Sequence, residues 1–89
     1  MPKSMNHLAK AVIAAYAFLE LSGDEVVDPD ASVEAMEMLT AELRECSADE
    51  RKALEDAVSA ELAEHRDAGA STETLLFYEK FIDNLFADE

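Results

Sequence analysis

Tryptophan is missing from this 89-residue chain, glycine and proline occur twice each, and cysteine once. So few glycines and prolines leave little material for tight turns, which works against a fold of many short strands. The single cysteine, Cys46, excludes an internal disulfide and suits a reducing cytoplasm. Cations are scarce too: seven Lys and Arg stand against 21 Asp and Glu, for a net charge of −14. A surface of that sign repels nucleic acid and anionic membranes, and steers the protein toward basic partners. The one sizeable apolar run, AVIAAYAFL after Lys3 and Lys10, is too short to cross a bilayer. Glu20 follows it at once with no A-x-A cleavage pattern, so no secretory leader is expected.

What is present points to helix. Alanine, leucine and glutamate dominate, and 49% of the residues are hydrophobic, too many for an acidic disordered chain. The length suits one domain covering residues 1–89. The charge is uneven: residues 1–19 carry +2, residues 20–50 carry −10, and residues 51–89 carry −6. Four helices can be read, over about 4–21, 29–46, 48–68 and 72–87. Connections of two to six residues favour antiparallel neighbours, so an all-α bundle of four helices is expected. In the first, Leu8, Val12, Ala15, Tyr16 and Leu19 repeat at helical spacing. Ile13, Ala14, Ala17 and Phe18 fill much of the other side, which predicts a helix in the middle of the bundle.

The stretch GDEVVDPDASVEAMEML opens the second helix. Asp28 reads as an N-cap and Pro29 as the first helical residue, where a missing N–H and a fixed φ cost nothing. Val26 and Val27 are expected to tuck toward the core. Met36, Leu39, Leu43 and Cys46 fall on one face. Asp30, Glu34, Glu37, Glu42 and Glu45 fall on the opposite side, with Met38 among them. The third helix starts at a capping box, Ser47-Ala-Asp-Glu50. It lines up Leu54, Ala57, Val58, Leu62 and His65, and exits at Gly69. Ser71 or Thr72 opens the fourth, whose stripe of Leu75, Tyr78, Ile82, Leu85 and Phe86 is widened by Phe77 and Phe81.

Catalytic and metal chemistry find little footing. An EF-hand loop from Asp28 needs glycine where Val33 stands and glutamate where Leu39 stands. Glu61 and His65 are one turn apart, but a di-iron bundle needs two Glu-x-x-His motifs and more carboxylates. His65 therefore reads as a packed or partly exposed structural histidine. Cys46 has no nucleophile turn or oxyanion glycine beside it, and no glycine-rich phosphate loop exists. Neither a catalytic residue, a metal ligand nor a cofactor is expected. Small acidic four-helix carrier proteins bear phosphopantetheine on the serine of an Asp-Ser-Leu motif opening their second helix. Asp30-Ala31-Ser32-Val33-Glu34 resembles that motif loosely, with Ala31 inserted and the preceding glycine missing; the resemblance would make Ser32 the modified residue.

Two surfaces remain. Asp30, Glu34, Met38 and Glu42 follow one another at i, i+4, flanked by Glu37 and Glu45. Like charges at that spacing cost a few tenths of a kcal/mol each. A methionine rimmed by carboxylates has the make-up of an anchor with an electrostatic guide; the bland alternative is a solvated face. The wide apolar arc of the fourth helix either lies deep in the bundle or joins a homodimer or a partner segment. In size, acidity and lack of catalytic motifs the chain is similar to the small helical immunity proteins of bacteria. That resemblance implies a cytoplasmic inhibitor that occludes a basic toxin or effector through Asp30, Glu34, Glu37, Met38, Glu42 and Glu45. A secretion chaperone or adaptor gripping an apolar segment through the fourth helix is the alternative.

Overall fold

The computed structural model describes residues 4–87, with side chains from residue 6 onward. It is an all-α bundle of four helices: α1 (Ser4–Leu21), α2 (Pro29–Leu43), α3 (Ala48–Asp67) and α4 (Thr72–Leu85). The expected cap at Ser4 lies outside the described side chains. The other starts follow their local chemistry. Asp28 accepts from the Ala31 N–H at 2.9 Å with Pro29 in the first turn. Ser47 and Glu50 close both halves of their capping box, at 3.1 and 2.7 Å. Ser71 accepts from the Thr74 N–H at 3.2 Å. Gly69 adopts φ +75. Its N–H donates to the Arg66 carbonyl and that of Ala70 to the His65 carbonyl, the paired bonds of a Schellman stop that only a left-handed residue permits.

Two ends differ from expectation by two residues or more, and α3 stops one residue early, at Asp67. α2 stops at Leu43 rather than Cys46, and α4 at Leu85 rather than Ala87. Past Leu43 the chain tightens into three-residue turns, Glu45 N–H to Glu42 carbonyl and Cys46 N–H to Leu43 carbonyl. Ser47 is extended (ψ 169) to cap α3, so α2 cannot run on into α3.

α3 is packed by α1 on one side and α4 on the other, while α2 rests mainly on α1. The core joins Ala9, Ile13 and Tyr16 of α1, Leu54, Ala57 and Val58 of α3, and Phe77, Tyr78, Phe81, Leu85 and Phe86 at the α4 end. Met36, Leu39, Leu43 and Cys46 close it only partly. Rings knit the helices together: Tyr16 meets Phe81 edge-on at 5.2 Å, and His65 stacks on Tyr78 at 4.8 Å. α1 is turned differently from its sequence pattern. Leu8, Ala15 and Phe18 are exposed and the buried face runs through Ala9, Ile13 and Tyr16. A helix apolar almost all round cannot select its inward face by periodicity. Likewise Val27 is half-buried, but Val26 is exposed.

Polar atoms inside are partnered. The Tyr16 hydroxyl and Thr40 Oγ1 share a 2.7 Å hydrogen bond between α1 and α2. Burial pushes the Tyr16 phenol up, outweighing that bond and the field of Arg44; burial and then Glu61 push Tyr78 up. Both phenols thus ionise later in the folded chain than in the unfolded one. Their contribution is complete below about pH 10, the unfolded value, and is lost as pH rises above it. Urea midpoints are expected to hold to about pH 9 and to drop beyond about pH 10, with a Tyr16→Phe, Tyr78→Phe variant losing less. An equal drop in that variant would refute the assignment.

Candidate protein-binding surface

The acidic side of α2 is built by three constraints acting on one short helix. Asp28 and Pro29 set where it starts and so its rotational phase. Ser32, only 6% exposed, donates from Oγ to the Leu19 carbonyl at 2.7 Å, pinning the first turn to the end of α1. Met36, Leu39 and Leu43 then pack inward. With that face fixed, Asp30, Glu34, Glu37, Met38 and Glu42 must point outward, and all five are exposed. Met38 is 69% exposed. Glu45 is exposed too, but it stands in the turn beyond the helix, so the regular row ends at Glu42.

The electrostatics of the two halves of the bundle contrast. On α3, Arg51 pairs with Glu55 at 3.3 Å and Lys52 with Asp56 at 3.1 Å, while Arg66 reaches Glu79 of α4 at 3.2 Å. Arg51 also lies over the Phe86 ring, 4.2 Å from its centre. Arg44 Nε donates to the Leu85 carbonyl at 3.2 Å and ties the end of α2 to the end of α4. Arg44, Arg51 and Arg66 thus tie elements together, while Lys52 is paired within α3. Among the described residues, no ion pair or side-chain hydrogen bond involves Asp30, Glu34, Glu37, Glu42 or Glu45. Several carboxylates on one short helix repel one another without internal relief, and an approaching cationic surface would supply that relief.

The remaining sequence candidates are placed as follows. Ser32 gives the carrier resemblance no support: its hydroxyl is buried and bonded to backbone, not offered to a modifying enzyme. Phe77, Tyr78, Phe81, Leu85 and Phe86 are core, so the arc invoked for a homodimer or an apolar grip through α4 is largely turned into the bundle, with only the edges of Phe77, Phe81 and Leu85 lining a surface depression. His65 Nε2 lies 3.5 Å from Glu61 Oε1 and its ring is stacked on Tyr78 while staying partly exposed, a structural histidine. No cluster of three or more metal-ligating side chains occurs among the described residues, and no described helix is long and apolar enough to cross a membrane. Sequence reasoning missed Thr40 and Ser32 as the hydrogen-bonding anchors of α2. Two small polar residues near an apolar stripe are a signal only once the neighbouring helix is known.

No family model, curated protein or solved structure matches the chain.

Proposed function

We propose that this protein is a small acidic binding module, an inhibitor of the immunity type that neutralises a basic protein partner by covering its surface. The contacts are assigned to Asp30, Glu34, Glu37, Met38, Glu42 and Glu45. One observation carries the reading: α2 presents a run of exposed carboxylates that enter no ion pair among the described residues, around an exposed methionine. Long-range attraction guides encounter, and Met38 enters an apolar recess once water is excluded. A cytoplasmic location and a toxin or effector as the partner belong to the same proposal. Occlusion needs no catalytic group.

The test is kinetic. With the partner isolated by affinity capture, Glu34→Lys, Glu37→Lys, Glu42→Lys is expected to slow association by on the order of 10- to 100-fold. Wild-type association should slow likewise between about 0.01 M and 0.15 M salt, as the screening length shrinks from ~30 to ~8 Å. An association rate indifferent to both salt and charge reversal would remove α2 as the contact surface.

A further inference from the structure

α2 leans on α1 and α4 leans on α3, so α2 and α4 are not a closely packed pair. Between them runs a channel floored by α1. Its middle is a depression of ≈ 180 Å³ lined by Tyr16, Met36, Phe77 and Phe81, with Glu20 and Asn84 among its polar lining residues. Met36 and Thr40 continue it onto a shallower depression of ≈ 400 Å³ along α2, where Val33 and Glu37 stand. Phe77, Glu20 and Asn84 continue it the other way, onto one of ≈ 460 Å³ along α4, where Leu76, Glu73 and Lys80 stand. Val33 is 54% exposed and Leu76 44%. Two of the few exposed large apolar side chains therefore border the depressions that adjoin this middle, Val33 on the α2 side and Leu76 on the α4 side.

We infer that this channel seats an amphipathic α-helix of the partner, apolar stripe inward and Lys or Arg along its flanks; the inference rests on the protein-binding reading above. A trough between two helices matches the i, i+3, i+4, i+7 anchors of such a helix. The flanks follow from charge. Glu20, Glu37 and Glu73 line the channel, and among the described residues none of them enters an ion pair. Lys80 is the opposing charge on α4, and Arg44, at the α2 side, is bonded to the Leu85 carbonyl. The acidic row of α2 adds its field from the adjoining face. A second copy of this chain, at −14, would meet repulsion there.

The probe is a synthetic amphipathic helix of about five turns (~18 residues) with leucines at the anchor spacing and lysine flanks. Companions carry glutamate flanks, or two central prolines that abolish the helix. Amide shifts on the full chain should cluster at Met36, Thr40, Phe77 and Asn84. The glutamate and proline peptides should bind at least ~10-fold more weakly. Val33→Glu, Leu76→Glu should lose at least ~10-fold while melting like wild type, since both sites are exposed. Glu34→Lys, Glu42→Lys should keep the footprint and lose only a few-fold. Absence of binding by the lysine peptide, a footprint on the Leu8–Phe18 side of α1, unchanged affinity in the Val33/Leu76 variant, or self-association of the free protein would each overturn the assignment. The two readings fail separately. A channel footprint can stand while the natural partner proves indifferent to salt and to reversal of the α2 row, and salt-sensitive capture can stand while the channel stays empty.

Discussion

Phe81→Ala is expected to lose about 3–5 kcal/mol of folding stability, the usual cost of emptying a packed aromatic site. The ring is buried, meets Tyr16 of α1 edge-on at 5.2 Å and Phe77 at 5.7 Å, and lines the channel between α2 and α4. Its removal takes contacts from α1 and α4 together, and a domain of this size has only roughly 5–15 kcal/mol to lose. The urea midpoint should fall by about a fifth or more with little change in slope. A loss under about 1 kcal/mol would mean that neighbouring side chains collapse into the space, so that α1 and α4 are not held by this ring.

Ser32→Val is expected to have the next largest effect, and a more local one. Ser32 is the only fully buried residue of α2, and its hydroxyl is the hydrogen bond given to the Leu19 carbonyl. Valine removes that donor, at about 1–3 kcal/mol for a carbonyl left without it, and forces a branched side chain into a site shaped for a hydroxyl, at about 1–3 more. The loss should fall on α2 first, because that helix contributes no fully buried apolar residue. Hydrogen exchange should therefore quicken along 29–43 well before α3 responds. Ser32→Ala, which adds no bulk, should lose about half as much. Uniform acceleration over all four helices would instead show that α2 does not open by itself.

These two sites mark a boundary between what is readable from a linear chain and what is not. The starts of α2, α3 and α4 were visible because capping is chemistry between residues three apart: Asp28 with Ala31, Ser47 with Glu50, Ser71 with Thr74. The Gly69 stop was visible for the same reason, as was the choice of helix over strand. The acidic row was legible too, since residues four apart on any helix share a side. α3 and α4 showed their inward faces correctly because polar residues interrupt their stripes; α1, apolar almost throughout, did not, and its buried face is Ala9, Ile13 and Tyr16 rather than the side that includes Leu8 and Ala15.

Composition and local spacing thus settled by themselves that the chain makes four helices, where three of them begin, and that α2 carries carboxylates on one side. Tertiary packing alone decided that this side faces water, that Glu45 leaves the helix, that Ser32 is an anchor, and that α2 and α4 leave a depression between them over α1. The physical reason is range. Caps and periodicity act over three or four residues, whereas the rotation of a helix about its own axis is set by partners such as Leu19 and Ser32, or Tyr16 and Thr40, that meet only after the chain has folded back.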